Sequence, residues 1–311
     1  MRFSRDQRFF LITPDESLKK MLLENINDVE WTTFKEGRPA IDYIFSSPPD
    51  MLIVDSKIKD INVFDVITLI KSENIYRQVP VIICFEENFD LDVDKVCSTE
   101  IDDFLIRPLD VKETIARIYL TYQRSFRALD ANPLTKLPGN TSIIRHIQML
   151  LDKKEEFALA YADLDNFKAF NDRYGFSRGD EVILMTARII TNMVRSFKGI
   201  NSFVGHIGGD DFVFIVPLEY AELACKGIVN NFDSIIPYFY DEEDKKRGYI
   251  VSKDRQGNER KFPFVAISIG VVFNRGNFKH YGEISQEAVN LKKKAKEYEG
   301  SCYILDRRKY S

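Results

Sequence analysis

Residues 157–183 read FALAYADLDNFKAFNDRYGFSRGDEVI, an apolar run that ends in acidic residues and continues into polar sequence. The run 157–162 has the length and composition of a buried strand. The spacing of apolar residues further on predicts a long helix near 180–196. Asp163 and Asp165 therefore stand where a predicted strand ends.

A second pair of acids, Asp210 and Asp211, follows Gly208 and Gly209 in the segment HIGGDDFVFIV. Paired glycines allow a tight hairpin turn with positive φ and let a bulky anion approach the backbone. Carboxylates gathered at strand ends suit Mg²⁺, which usually completes its shell with substrate phosphates. The residues alone thus point to a metal-dependent nucleotide site, although surface acids beside a strand-turn-strand are also common without a metal.

The second half of the chain has an α+β pattern that resembles a ferredoxin-like core with additions. Helices are predicted near 142–151, 180–196, 219–235 and 285–299, and strands at 157–162, around 208–210 and at 264–273. Between Tyr240 and Phe262, the runs GYIV and ERKF flank the turn-forming residues Gln256-Gly257-Asn258. This pattern predicts a hairpin insert.

The first half alternates short apolar runs with helical segments. The runs lie at 9–12, 51–54, 79–85 and 103–106, and the clearest helical segments at 16–25 and 63–71. This alternation predicts an α/β, doubly wound parallel sheet with its site at the carboxyl ends of the strands. A long helix from Val111 to the break at Asn132-Pro133 either packs on its own sheet or forms a stalk that pairs with a second copy.

Length and composition bound the remaining possibilities. The 311 residues predict two domains, placed at 1–125 and 126–311. A net charge of -4 gives no field that would attract DNA or an anionic membrane. The apolar runs are too short for a spanning helix or a signal peptide, which predicts a cytoplasmic protein without membrane attachment. The scattered cysteines and histidines argue against a zinc site or a disulfide framework.

The second half resembles the GGDEF family of diguanylate cyclases over roughly residues 130–305. NPLTKLPGN (132–140) is similar to the family's DPLTGLPNR, residues 162–183 to its DxDxFKxxNDxxGHxxGD block, GGDDF (208–212) to GGDEF, and SIG (268–270) recurs near the end. The resemblance implies a ferredoxin-like (palm-like) GGDEF domain that condenses two GTP into cyclic di-GMP. It also implies Mg²⁺ or Mn²⁺ as cofactor and a homodimer whose two sites face each other.

Carried over residue by residue, the resemblance implies a complete site. The implied metal ligands are Asp163, Asp210 and the carbonyl oxygen of Leu164. The implied catalytic residues are Asp211 and Lys168. The implied substrate-binding residues are Asn171, Asp180, Lys296, Gly208 and Gly209. A carboxylate accepts hydrogen bonds from the N1–H and N2 amine of guanine, whereas adenine has no N1–H. GTP is therefore favoured over ATP.

Several positions depart from the family pattern. Asp211 replaces Glu and is shorter by one methylene, His206 replaces an Arg, and Gly175-Phe176 replaces GH. The RxxD of the family's inhibitory product site is missing from GINSFVGHI (199–207), which predicts no product inhibition of that type. These departures leave an alternative open, a catalytically inactive module that binds GTP or a cyclic dinucleotide and signals by protein association.

Residues 8–125 resemble the receiver domain of response regulators. Asp55 matches the phosphoacceptor, and IRP (106–108) resembles the family's KP. Other residues that the receiver family has at its site are replaced here. Thr13-Pro14 stands in place of the acidic pair, Phe85 in place of the hydroxyl residue, and Arg107 in place of the lysine. The resemblance implies either phosphorylation of Asp55 by a sensor kinase or a pseudo-receiver that dimerises or docks another signalling protein. The replacements favour the pseudo-receiver, because Asp15 with Asp55 is a poor cage for Mg²⁺.

Overall fold

The computed structural model describes residues 3, 7–89, 92–197, 202–253 and 258–306. The chain divides into two compact units, unit 1 (Met1–Leu129) and unit 2 (Asp130–Ser311). Two predictions fall partly outside the described residues: the turn at Gln256-Gly257, and the start of the 199–207 segment. In the described ranges, no helix combines the length and the hydropathy that a membrane span requires.

Unit 1 is built on a parallel sheet of five strands. They are β1 (Arg8–Ile12), β2 (Glu30–Phe34), β3 (Met51–Asp55), β4 (Val81–Phe85) and β5 (Asp103–Ile106). The strand order β2-β1-β3-β4-β5 is that of flavodoxin-like doubly wound sheets. The predicted doubly wound sheet is confirmed, and the order changes direction between β1 and β3, where such folds place their sites.

Helices cover both faces of this sheet. They are α1 (Glu16–Asn25), α2 (Gly37–Ser46), α3 (Val63–Ser72), α4 (Val93–Ser98) and α5 (Val111–Asp130). Side chains alternate along each strand, so Leu52 and Val54 of β3 pack with α2 and α3, while Met51 and Ile53 face the core that contains α1 and α5. Ile118 of α5 is fully buried in that second core. The body of α5 is therefore a terminal helix of unit 1, and the coiled-coil stalk stays a prediction.

Unit 2 contains a mixed five-stranded sheet and a separate hairpin. Its strands are β6 (Phe157–Asp165), β7 (Phe203–Gly208), β8 (Asp211–Val216), β9 (Ile250–Lys253), β10 (Glu259–Phe262), β11 (Ala266–Asn274) and β12 (Cys302–Leu305). The main sheet has the order β12-β11-β6-β8-β7, and β9 pairs antiparallel with β10. The four strands β11-β6-β8-β7 have the arrangement of a ferredoxin-like fold, with β12 added at the edge. The predicted fold class is confirmed.

The helices of unit 2 are α6 (Asn140–Asp152), α7 (Phe167–Tyr174), α8 (Phe176–Arg195), α9 (Ala221–Ile235), α10 (Glu242–Arg247) and α11 (Tyr281–Ala295). Four of them were predicted and differ from the prediction at their ends, whereas α7 and α10 were not predicted. Gly175 has a φ of 85° and separates α7 from α8, so α8 begins before the predicted position. α11 begins at Tyr281 because the side chain of His280 caps it, and it ends before the predicted 299.

Candidate functional site

The carboxyl end of β6 lies in the middle of the unit 2 sheet, beside the turn between β7 and β8. On one side, Asp163 lies opposite Ser268 of β11. On the other side, the pairing of β6 with β8 ends at Ala162 and Phe212. Asp211 is the next residue of β8, so the sheet places it beside Asp163. The two acidic pairs singled out in the sequence therefore meet at one edge of the fold.

The turn that carries Asp210 depends on its two glycines. Gly208 has a φ of 147° and Gly209 a φ of 59°, conformations that residues with a side chain rarely adopt. A Cβ atom on either glycine would meet no atom within 4 Å. Backbone conformation, and not crowding, thus requires glycine here, and the space next to the turn is open.

Gly270, the last residue of the SIG motif, lets α11 cross β11 at close range. A Cβ at this position would lie 2.2 Å from the backbone nitrogen of Lys292 and 2.6 Å from the carbonyl oxygen of Ala288. Only glycine fits under the helix without a shift of its backbone. The close crossing places Lys292 of α11 and Lys296, the residue that caps the end of α11, next to the acids of β6.

We call Asp163, Asp165, Asp210 and Asp211 the acidic cluster. Lys292 donates from Nζ to Oδ2 of Asp163 at 2.9 Å and also to Oδ1 of Asp211. Lys296 forms an ion pair with Oδ1 of Asp163 and lies 3.6 Å from Oδ1 of Asp165. The last turn of α11 and its C-cap residue therefore supply lysines that contact Asp163, Asp165 and Asp211.

The pKa values indicate that the lysines do not fully compensate the acids. Burial raises the pKa of Asp210, and the neighbouring charge of Asp163 raises it further. Burial also raises the pKa of Asp211, although the hydrogen bond from Lys292 opposes the change. For Lys292, burial would lower the pKa, but the hydrogen bonds to Asp211 and Asp163 outweigh it and raise the pKa. The lysine is held as a cation, while further positive charge would stabilise the carboxylates.

The donor set of the cluster fits a hard divalent cation. Mg²⁺ typically takes one or two carboxylates and completes its shell with water and phosphates. Oδ1 of Asp163 is buried and is ion-paired with Lys296, so a bound cation would have to displace that ammonium group to use this oxygen. No three His, Cys, Asp or Glu side chains within the described ranges converge as a ready metal cage. The fit is thus that of a two-carboxylate site that substrate phosphates would complete.

The other sequence-predicted residues lie on neighbouring elements. Lys168 is exposed on α7, Asp180 is exposed on α8, and neither joins the ion pairs of the acidic cluster. Asn171 of α7 has a buried Oδ1 without a hydrogen-bond partner. The Leu164 side chain is buried in the core, as expected of a residue that could contribute only its carbonyl.

His206 connects the glycine turn to the NPLTKLP segment. Its Nε2 lies 3.0 Å from the carbonyl oxygen of Gly209, and its Nδ1 lies 3.0 Å from Oγ1 of Thr135. Because a carbonyl only accepts, Nε2 carries the proton and Nδ1 accepts from the threonine hydroxyl. The ring stacks on Phe212 and is buried, and burial lowers its pKa. His206 is thus a neutral support of the turn.

The phosphoacceptor candidate Asp55 lies at the carboxyl end of β3 in unit 1 and is fully buried. Arg107 donates to both of its carboxylate oxygens, at 3.1 Å and 2.8 Å, and Thr13 donates to Oδ2 at 2.5 Å. Arg107 also lies 3.3 Å from Asp15, which Lys57 contacts at 3.0 Å. Both carboxylate oxygens of Asp55 are thus already engaged by protein donors.

Sequence reasoning missed Lys292, the residue that contacts two members of the acidic cluster. It stands in the run KKKAK, where consecutive charges are usually a solvated helix face. The only sequence signal was its spacing of four from Lys296, which places both on one helix face. Ser268, which donates to Oδ2 of Asp165 at 2.5 Å, was also missed as a support of the cluster.

Comparison with protein families matches both units. The model described as "Diguanylate cyclase, GGDEF domain" matches residues 130–230. The model described as "Response regulator receiver domain" matches residues 15–119. The two matches fall on unit 2 and unit 1 respectively.

Curated relatives match this chain over part of its length. The response regulator PleD of Caulobacter vibrioides is 25% identical over 187 residues, which are 55% of this chain and 40% of PleD. The diguanylate cyclase DgcS of Shewanella oneidensis is 32% identical over 142 residues, 43% of this chain and 44% of DgcS. The matched regions thus span less than half the length of either relative.

Among solved structures, the GGDEF domain of DgcB from Caulobacter crescentus in complex with c-di-GMP is 20% identical. The match covers 57% of this chain and 95% of that one, with a TM-score of 0.41. A match at this score and identity does not bear on function. The two family models carry the conclusion: the chain contains a response regulator receiver domain followed by a GGDEF domain of the diguanylate cyclase family.

Proposed function

We propose that the chain is a Mg²⁺-dependent diguanylate cyclase that condenses two GTP into cyclic di-GMP under the control of unit 1. The observation that carries this proposal is the acidic cluster beside an open glycine turn, with two lysines of α11 in contact with it. The family match of unit 2 and the diguanylate cyclase activity named for DgcS support it further.

Asp163, Asp210 and the Leu164 carbonyl would hold Mg²⁺, or Mn²⁺ in its place. The bound cation would polarise the α-phosphate and lower the pKa of the attacking 3′-hydroxyl. Lys292, Lys296 and the exposed Lys168 would take the phosphate charges, and Gly208 and Gly209 let the triphosphate approach the backbone. Asp211 lies next to the reacting groups. The lysine stems are flexible, so the ammonium groups can turn from carboxylate to phosphate while α11 stays in place.

Asn171 and Asp180 would bind the base. A carboxylate at Asp180 accepts from the N1–H and N2 amine of guanine, and neither group exists on adenine. Oδ1 of Asn171 is buried against Gly179 and has no partner, so the side chain would have to turn outward to offer a second acceptor to the base edge. The preference for GTP over ATP follows from these two acceptors.

Two copies must face each other for the reaction, because each site binds one GTP. Turnover should therefore rise with protein concentration as the homodimer forms. We propose that unit 1 serves this association or docks another signalling protein, without phosphorylation at Asp55. Arg107 already neutralises that carboxylate and blocks the approach of Mg²⁺.

One observation favours a second candidate, an inactive module that binds GTP or a cyclic dinucleotide and signals by association. Asp211 is one methylene shorter than Glu and is engaged by Lys292. A displacement of about 1 Å in a reacting group can cost roughly 100-fold in rate. Such a loss would leave nucleotide binding intact while product formation becomes about 100-fold slower.

The test is chromatography of the full chain after incubation with Mg²⁺ and GTP, with ATP in parallel. The cyclase is supported if cyclic di-GMP forms from GTP but not from ATP. Product formation should also be lost in the Asp163→Asn variant and when EDTA removes the metal ion. The control Asp152→Asn, an exposed residue at the end of α6, should be as active as wild type. GTP binding without product, at concentrations where the protein dimerises, would replace the cyclase with the binding module. Equal turnover in Asp163→Asn and wild type would refute the site assignment.

A further inference from the structure

The insert between α9 and β11, residues 240–262, contacts through its first residues, 240–244, the helices that carry the proposed base-binding residues. Its first residue, Tyr240, is buried, and its ring contacts Phe170 and Tyr174 of α7 at 5.1 Å and 5.6 Å between centroids. The Tyr240 hydroxyl accepts from the backbone nitrogen of Val265 at 2.8 Å. The first residue of the insert is therefore fixed to the core and contacts α7 directly.

Asp244 of α10 is the buried anchor of this contact. Its exposed fraction is 0%, an unusual value for a carboxylate. The hydroxyl of Tyr174 donates to Oδ2 at 2.5 Å, Arg173 lies 3.5 Å away, and Arg247 forms an ion pair with Oδ1. Burial would raise the pKa of Asp244, but the hydrogen bond from Tyr174 and the arginine outweigh it and lower the pKa. The carboxylate is thus held charged and tied to the last turn of α7.

A second tie joins the insert to the start of α8. Arg178 donates to Oδ1 of Asp241 at 2.8 Å, and its guanidinium lies 4.6 Å from the centre of the Tyr174 ring. Tyr174 follows Asn171 by three residues, and Arg178 precedes Asp180 by two. The insert therefore holds both sides of the Gly175 break that separates the two base-binding residues.

We propose that the insert is a brace for the nucleotide base, with Asp244 and Asp241 as positioning residues that set the distance between Asn171 and Asp180. This inference rests on the proposed function of those two residues. Neither acid touches the nucleotide. Each acts through the helix that it holds, and the substrate feature that depends on the brace is the guanine edge, not the triphosphate.

The experiment measures binding of GTP, ATP and inorganic triphosphate to the full chain with Mg²⁺, by calorimetry. Tyr174→Phe removes one hydrogen bond and keeps the ring, while Arg178→Gln removes the surface tie to Asp241. Each should weaken GTP binding about 5- to 10-fold, because each frees one side of the break. Triphosphate binding should not change. Arg188→Gln, an exposed position further along α8, is the matched control and should behave as wild type.

Turnover gives an independent readout where product forms, since KM for GTP should rise while kcat changes less than about 2-fold. The inference is overturned if both variants, folded as judged by circular dichroism, bind GTP as wild type does, or if GTP and triphosphate binding weaken equally. Wild-type protein that shows no preference for GTP over ATP would overturn the base-site assignment itself, and the brace with it. If the ratio of GTP to ATP affinity is the same in both variants as in wild type, the brace is refuted while the base-site assignment stands.

Discussion

Each unit gathers carboxylates at the ends of its strands, but it neutralises them with a different cation. In unit 1, Arg107 grips Asp55 with two hydrogen bonds and leaves the carboxylate no exposed surface. In unit 2, the ammonium groups of Lys292 and Lys296 contact Asp163 beside an open turn.

The two cations differ in how readily they can give way. A guanidinium is a rigid planar fork that matches a carboxylate, whereas an ammonium is a point charge on a flexible stem. We therefore expect the unit 1 pair to exclude a metal ion, and the unit 2 lysines to exchange a carboxylate for a phosphate when a nucleotide binds. Similar groups of carboxylates can therefore either be held by the protein's own cation or remain able to bind a metal ion. The type of cation beside them, guanidinium or ammonium, decides between the two.

The pKa values separate the clusters in the same way. In unit 1, the hydrogen bonds of Ser17 and Lys57 lower the pKa of Asp15 well below its usual range. In unit 2, burial raises the pKa of Asp165 and of Asp210. The Asp15 carboxylate of unit 1 is stabilised by its own neighbours, whereas the acidic cluster of unit 2 would be stabilised by an added divalent cation.

The largest effect should follow from breaking the unit 1 pair. Arg107→Ala leaves the buried Asp55 charge without its partner, and we expect a loss of about 3 kcal/mol in the unfolding free energy of unit 1. The chain has a single tryptophan, and Trp31 lies on β2, so its fluorescence during urea unfolding reports on unit 1. The control Arg77→Ala removes an exposed pair with Glu100 and should cost below about 1 kcal/mol. Equal losses in the two variants would show that Asp55 does not depend on Arg107.

Removal of the missed lysine should have the next largest effect. Lys292→Ala deletes a charge that would face the substrate phosphates, and we expect turnover of GTP to fall about 100-fold, or about 2.7 kcal/mol. Lys293→Ala, an exposed neighbour on the same helix, is the control and should be as active as wild type. Initial rates of cyclic di-GMP formation at saturating Mg²⁺ measure both. Wild-type rates in Lys292→Ala would remove this residue from the site.

A smaller effect is expected where α11 crosses β11. Gly270→Ala inserts a methyl group 2.2 Å from a backbone atom of Lys292, so the helix must move. Overpacking of this kind costs roughly 1–3 kcal/mol. Thermal unfolding followed by circular dichroism measures the loss, and turnover should fall with it because both lysines shift. Gly276→Ala probes a positive-φ turn outside the cluster and should lower stability without a specific loss of turnover. If Gly270→Ala is as active and as stable as wild type, the close crossing is not required.

The smallest effect concerns the lowered pKa of Asp15. A carboxyl whose folded pKa lies below its unfolded value adds stability above the unfolded pKa and loses it as the pH falls through the lower folded value. Asp15→Asn keeps the cap of α1 and removes this titration. We expect a loss below about 1 kcal/mol at pH 7 and a shallower fall of unit 1 stability below about pH 4. Trp31 fluorescence follows the stability of unit 1 as the pH is lowered. If stability falls equally steeply with pH in the Asp15→Asn variant and in the wild-type chain, the assignment is contradicted.

The sequence pattern alone was sufficient to predict a strand or helix whose apolar residues recur regularly along its whole length. The strands MLIVD and VIICF and the helix at 16–25 were predicted because their apolar periodicity is uninterrupted. No helix was predicted at α2 (Gly37–Ser46). β2, α4, α7, α10 and β12 were also not predicted. They are short or largely polar, as in EWTTF and EEDKKR, and are held by tertiary packing instead of their own propensity.

The sequence by itself determined the two fold classes, the order of the domains and the strand-end positions of Asp55, Asp163 and Asp210, because these depend on periodicity and on ordered motifs. Only the tertiary structure decided which cation each carboxylate meets. That choice depends on distances between residues more than fifty positions apart, such as Arg107 with Asp55 and Lys292 with Asp163. A charged side chain has the same identity whether it is solvated or buried, and its partner is set by how closely the helix and sheet that carry the two groups approach.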